Sequence, residues 1–188
     1  HKMYYIDGYR QGKYLEYNAN GTLKREIDFD YGQKNGKNVT YLENGMIDSY
    51  FNCKNNEDNG PATYYHYNGK TATIIQFSED VKNGCADYFE PGGQLMYRLN
   101  FEDDEIVSIT WKGKNNQFVE PILINKDTVK ITTYYASGSK SAELVYVGGD
   151  RHGVQTSYFP NGKVFEIRPF QHNYLSGKEI SYRDNGNK

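Results

Sequence analysis

Cysteine, tryptophan and proline are scarce in this chain: two, one and five among 188 residues. So few cysteines exclude a disulfide-dense secreted scaffold. Cys53 and Cys85 themselves have a whole hairpin between them in the pattern described below, which argues against a bridge at the usual Cα separation of about 4.4–6.8 Å. Two unpaired thiols fit a reducing compartment and half-buried apolar positions. No run of roughly 18 apolar residues occurs, and no signal-peptide core, so a membrane-spanning helix is not expected. The start His1-Lys2-Met3 is compatible with a tag remnant or with a trimmed secreted chain.

Neither sign of charge dominates. Lys and Arg number 22 against 24 Asp and Glu, a formal net charge of -2. That balance argues against a nucleic-acid partner held by bulk electrostatics. Histidine is also sparse, and His1, His66, His152 and His172 show no ligand spacing to one another or to cysteine. They read as solvated residues, with no metal expected. The acidic clusters Glu102-Asp103-Asp104-Glu105 and Asn55 to Asp58 lack the oxygen pattern and glycine turn of a calcium loop, and read as hydrated loops. No nucleophile elbow, phosphate loop or zinc helix is present. The expectation is a non-enzyme without cofactors.

What the chain has instead is a beat of 24 residues. Gly12, Gly36, Gly60 and Gly84 are spaced by 24, and Val129, Gly153 and Gly177 continue in the same pattern. Five places after each start stands an aromatic: Tyr17, Tyr41, Tyr65, Phe89, Tyr134, Tyr158, Tyr182. Nine places after stands a glycine: Gly21, Gly45, Gly69, Gly93, Gly138, Gly162, Gly186. A fixed period of this length marks a repeat array with a shared core.

Within a unit, apolar residues alternate with polar ones, which is strand periodicity. Leu15, Tyr17, Leu23, Ile27 and Phe29 all fall at odd offsets from the unit start, so one face of each strand is expected to be apolar. Offset 5 then faces offset 11, which requires a three-residue loop: a type I turn closed by a left-handed residue and a bulge. Pro91 and Pro160 at offset 7, asparagine at offset 8 in five units, and glycine at offset 9 all suit that turn. The connections back, Asp30 to Asn35, Asn55 to Asn59, Ser78 to Asn83 and Gly148 to His152, are polar and turn-rich. Roughly 16 strands at about 4.8 Å would extend some 75 Å, so the sheet is expected to curl, with its tyrosine-lined face on the concave side.

Between residues 104 and 128 the marks fade. Ile106 to Trp111 reads as a strand, Gly113 as the tip glycine of a degenerate unit, and Phe118 to Ile124 as the returning strand, with Pro121 breaking its ladder. The expected organisation is all-β: one domain over 1–188, an elongated, twisted antiparallel meander of about eight 24-residue hairpins. Regular repeats occupy 12–103 and 129–188, and the degenerate one 104–128.

The pattern Gly-x4-Tyr-x2-Asn-Gly resembles MORN-type repeats. The similarity is strongest to the bacterial variant whose units read like Gly153-Val154-Gln155-Thr156-Ser157-Tyr158-Phe159-Pro160-Asn161-Gly162-Lys163. It departs from that pattern at Val129, Gly92 and Ser137. The resemblance implies a binding scaffold, since some such proteins are linked to membranes and bacterial relatives are described as antitoxin-like or immunity proteins. An antitoxin role would favour the cytoplasm. The expected partner is another protein, in the sharper form a cognate toxin neutralised by occlusion. The alternative is a membrane-surface or phospholipid-associated adaptor, using Lys13, Lys37, Lys130 and Lys178 at offset 1 as a basic edge. Tyr and Arg are enriched at interface hot spots. Tyr50, Tyr64, His66, Tyr88, Arg98, Tyr135 and Phe159, at even and outward offsets, are therefore candidate partner-binding residues, with Trp111 of the degenerate unit.

Overall fold

The computed structural model describes residues 1–124 and 128–187; residues 125–127 of the degenerate unit and Lys188 lie outside the described residues. The chain divides into two compact units, His1–Gly93 and Gln94–Lys188. Both are antiparallel β structures, and the described residues contain no helix.

The first unit is a meander. It holds β1 (Lys2–Ile6), β2 (Tyr9–Tyr17), β3 (Leu23–Asp30), β4 (Gln33–Tyr41), β5 (Ile47–Lys54), β6 (Glu57–Asp58), β7 (Gly60–Tyr65), β8 (Thr71–Ser78) and β9 (Val81–Phe89). Each strand pairs with the next in sequence, β6 and β7 being two segments of one strand beside β5.

The hairpin tips have the expected form. The Gly21 N–H donates to the Asn18 carbonyl at 3.0 Å and the Asn18 N–H to the Thr22 carbonyl at 2.9 Å, leaving three residues in the loop. Gly21 has φ 84°, a conformation that a Cβ penalises. Asn20 accepts the Thr22 N–H at 3.0 Å, and Asn44, Asn68, Asn161 and Asn185 repeat that bond in their own turns. Tyr17 then faces Leu23, Tyr41 faces Ile47, and Tyr158 faces Val164.

The expectation of a single odd-numbered apolar face fails one residue beyond each tip. The bulge leaves Lys24 without an opposite number, so the register moves from Tyr17↔Leu23 to Glu16↔Arg25, Tyr14↔Ile27 and Gly12↔Phe29. Two residues opposing one invert the parity of everything that follows. An inner face is therefore built from even offsets of the outgoing strand and odd offsets of the return strand. It carries Ile27, Phe29, Cys53, Ala62 and Ala86, five of the six buried apolar residues of this unit; Val39 is the sixth and lies on the outer face. Tyr17, Leu23, Tyr41, Ile47 and Tyr65 share that outer face, near the tips. The tyrosines do point one way, but away from the face that holds Ile27 and Phe29.

The connections also differ from expectation. Only two residues leave the ladder at each: Asp7-Gly8, Tyr31-Gly32, Asn55-Asn56 and Glu79-Asp80, all at positive φ. These are type I′ turns, whose twist matches that of the flanking strands. The rest of each polar connection is strand, interrupted by a second bulge at the glycine that starts the next unit. Opposite Asp28, for example, stand residues 35–37, and the Asp28 carboxylate accepts the Lys37 N–H at 3.1 Å.

The second unit holds β10 (Leu95–Glu102), β11 (Glu105–Trp111), β12 (Ile122–Leu123), β13 (Thr128–Tyr134), β14 (Lys140–Val147), β15 (Asp150–Arg151), β16 (Gly153–Tyr158), β17 (Val164–Gln171), β18 (Tyr174–Leu175) and β19 (Ile180–Ser181). The run β10–β12 and the run β13–β19 belong to different sheets, and β10 touches β13. Ile109, Ile131 and Thr133 are the most deeply buried large side chains described. The Thr133 and Ser141 hydroxyls satisfy one another at 2.7 Å. Val129 stands where other units have glycine; it is buried and faces Tyr146.

Acidic Asp103-Asp104, expected as a hydrated loop, is the type I′ tip joining β10 to β11. The tip of the degenerate unit is not Gly113. Asn116 takes the left-handed position at φ 61° and donates to the Gly113 carbonyl at 2.9 Å, so the expected tip shifts by three residues. Asparagine tolerates that conformation better than most side chains. The returning strand is short. After a bridge between Lys112 and Phe118 the ladder lapses across Pro121, then resumes at Ile122↔Ile109 and Leu123↔Ser108.

Candidate binding surface

Hydrogen bonds join neighbouring repeats along the connection turns and, between some repeats, at the tips, and they engage polar groups that a partner would otherwise meet. One ladder runs along the connection turns. The second residue of a turn both donates its N–H to, and accepts with its side chain from, the residue two places beyond the preceding turn. Asn56 clasps Lys34 at 3.0 and 2.8 Å, Asp80 clasps Asp58 at 3.0 and 2.6 Å, and Asn173 clasps Arg151 at 3.1 and 2.8 Å. These bonds offset the strain of non-glycine residues at positive φ.

The second ladder joins the tips. His66 donates its Nε2–H to the Phe89 carbonyl at 2.9 Å, Asn68 donates to the Pro91 carbonyl at 2.8 Å, and Lys70 to the Gly92 carbonyl at 2.8 Å. In the second unit the Tyr135 hydroxyl donates to the Tyr158 carbonyl at 2.6 Å. His66 and Tyr135 occupy the same place in their repeats and carry out the same structural task.

The other candidates are dispersed. Tyr64 and Tyr88 lie on the inner face in one row, with Thr73 between them. The Tyr64 ring meets Phe51 edge-on at 5.5 Å, and burial, then Asp58 and Asp48, push its hydroxyl pKa up. Tyr50 lies on the outer face, between Val39 and Thr63, and donates to Asn52 at 2.8 Å. In the second unit Arg98 opposes Thr110 while Trp111 opposes Tyr97, so the two point to opposite faces of their hairpin. Phe159 packs edge-on against Phe165 at 5.1 Å. Of the eight candidates only Tyr64 and Tyr88 are gathered on one face of the sheet, because the bulges separate even offsets of outgoing and return strands.

What sequence reasoning passed over is the row it took for the core. On the outer face of the first unit, Tyr17 and Leu23 (β2, β3), Tyr41 and Ile47 (β4, β5), and Tyr65 and Thr71 (β7, β8) form three cross-strand pairs at matching places in successive hairpins, a stripe of tyrosines and branched side chains. Tyr17 is 37% and Ile47 38% exposed. No residue type marks the bulge that reverses the parity, which falls at Lys24, three residues past the tip glycine. Below the stripe the outer face turns polar. Lys13 is ion-paired there with Glu26, whereas Glu16, on the inner face, pairs with Lys24 at 2.9 Å, which draws the Glu16 pKa down. Of the offset-1 lysines, Lys13 and Lys37 lie within strands, opposite Asp28 and Asn52.

The corresponding row of the second unit is closed. Lys140 takes the place of the aliphatic opposite Tyr134. Its ammonium lies over the Tyr158 ring at 5.4 Å and bonds Glu143 at 2.7 Å, while the Tyr158 hydroxyl also donates to Glu143. The Lys140 and Tyr158 contacts hold the Glu143 carboxyl below its ordinary pKa. Among the described residues no group of three or more His, Cys, Asp and Glu is placed to hold a metal ion.

A family model described as MORN repeat variant matches residues 10–31 and 151–172, one stretch in each unit. Both begin in the strand before a repeat-start glycine and end in or just after a type I′ turn. Repeats of this kind are non-enzymatic motifs that generally bind proteins or membranes. No curated protein matches the chain.

Proposed function

Taking residues 10–31 and 151–172 as MORN-variant repeats, we propose that the chain is a non-enzymatic scaffold that binds another protein, and that its partner is a toxin neutralised by occlusion. The observation that carries the reading is the outer stripe of the first unit. Its tyrosines and aliphatics are half-exposed, while polar groups beside them are engaged: His66 and Asn68 in tip bonds, and Lys13 with Glu26 in an ion pair that the Tyr41 hydroxyl joins. A surface of rigid rings with few uncommitted charges suits a partner recognised by shape and apolar burial.

Membrane adsorption would call for clustered, uncompensated lysines. Lys13 is ion-paired, which favours the protein partner. The test is a photo-crosslinking residue at Tyr41 in the native host. Capture of one stoichiometric protein that is toxic when expressed alone, and harmless with this chain, supports the proposal. Flotation with anionic vesicles and no protein adduct would overturn it.

A further inference from the structure

The outer stripe has a period as well as a chemistry. Tyr17, Tyr41 and Tyr65 stand on β2, β4 and β7, each separated from the next by one intervening strand. Two strand spacings amount to about 9.6 Å. An extended ligand lying across the strands must present a contact at that interval on one side. A polyproline II helix does so, since three residues at about 3.1 Å return the same side every ~9.3 Å. The mismatch over all three tyrosines is then only about 0.6 Å. An α-helix offers positions seven apart at ~10.5 Å, which drifts by nearly 2 Å over the same span. A β-strand offers ~6.6 Å for residues two apart, and its residues three apart point to opposite sides.

The chemistry agrees. Rings separated by branched side chains (Leu23, Ile47, Thr71) make shallow slots, and aromatic-lined grooves of this kind take proline rings. A polyproline II backbone has no internal hydrogen bonds, so its carbonyls can accept from the Tyr17 and Tyr65 hydroxyls, while the Tyr41 hydroxyl is held by Glu26 and its ring supplies the contact. Its ordering entropy is already low, which suits a stripe with few charged contacts to offer.

We propose that Tyr17, Tyr41 and Tyr65, with Leu23 and Ile47 between them, form a docking track for a proline-rich segment of the partner in the polyproline II conformation. This rests on the protein-binding reading above and names the chemistry of the segment bound. The second unit lacks such a track, because Lys140 and Glu143 occupy its row.

The test is titration of the whole chain with the peptide (Pro-Leu-Pro)4, followed by amide and ring chemical shifts, beside a Gly-Ser peptide of equal length. Saturable shifts confined to the stripe, with the Gly-Ser peptide inert, are expected. Ile47→Lys, an exposed change that leaves no cavity, should weaken binding about tenfold or more, as should Tyr41→Ala. Tyr67→Ala, at an exposed tip off the stripe, should leave it unchanged. Absence of binding, binding unaffected by Ile47→Lys, or equal binding of the Gly-Ser peptide would overturn the proposal. The two readings separate cleanly. A protein crosslinked at Tyr41 that excess proline-rich peptide does not displace sinks the track and spares the scaffold. No protein adduct at all sinks the scaffold.

Discussion

The two units use one grammar of turns and reach different ends with it. Each hairpin of the first unit passes its chain on to the next strand of one sheet, and its buried apolar residues are few and often small: Ala62, Ala86, Cys53. The second unit contains the degenerate repeat, and there the ladder lapses at Pro121. Its strands divide between two sheets that touch through β10 and β13, and Ile109, Ile131, Thr133, Leu144 and Tyr146 are sealed. A repeat array that continues keeps both faces of its sheet in play. One that is interrupted can place one sheet against another and bury larger side chains. The first unit thus offers surface, and the second offers core.

That contrast can be attacked directly. Ile131→Ala should destabilise by about 2–5 kcal/mol, because a sealed site collapses poorly around a cavity, whereas Leu23→Ala on the stripe should cost less than about 1 kcal/mol. Denaturant midpoints at constant slope would show it, and equal losses would dissolve the distinction between the units. Next in size is the tip geometry. Gly21→Val should cost about 1–2 kcal/mol through its left-handed φ, while Asn116→Gly in the degenerate tip should be neutral or slightly stabilising. Similar losses for both would mean that Asn116 does not serve as the tip's left-handed residue.

The turn ladder predicts a smaller and more local effect. Asp80→Ala removes the acceptor of the Asp58 N–H, and about 1 kcal/mol should be lost at this exposed site. Hydrogen exchange at Asp58 should quicken while exchange at Ile131 stays unchanged. The first unit carries an alkaline pH dependence at Cys53. Burial, then Asp58, pushes the Cys53 thiol up to about 11 from an ordinary 9.0. A folded pKa above the unfolded one contributes stability below pH 9 that is lost as pH rises toward 11. The melting temperature of the native chain should therefore fall more steeply over that range than that of Cys53→Ala; parallel curves would refute the assignment. The slightest change is Lys140→Leu, which should leave stability nearly unaltered and raise Tyr158 exposure, read by quenching of tyrosine fluorescence.

Much of this architecture could be read before any coordinates. The 24-residue beat, the three-residue tips and the pairings Tyr17↔Leu23, Tyr41↔Ile47 and Tyr158↔Val164 all follow from glycine, asparagine and proline at fixed offsets. Those residues encode backbone angles locally, so one sequence suffices to find them. The tight connection turns were harder. Tyr31, Glu79 and His172 at positive φ carry no turn signature of their own, and what supports the turns lies a repeat away, in bonds such as Asp80 to Asp58. The binding candidates fared as position on one strand would dictate, since an even offset says nothing of the bulge between a residue and its neighbour.

The chain's own order of residues determined the period, the tips and the alternation of apolar and polar side chains, because each is a property of a few adjacent dihedrals. Only the tertiary structure decided which side that alternation faces. A bulge adds one residue to one strand and none to its partner, so a face is defined by pairing across strands and not by counting along one. For the same reason it was pairing that turned Ile27 and Phe29 to the inner face and left Tyr17, Tyr41 and Tyr65 on the outer one.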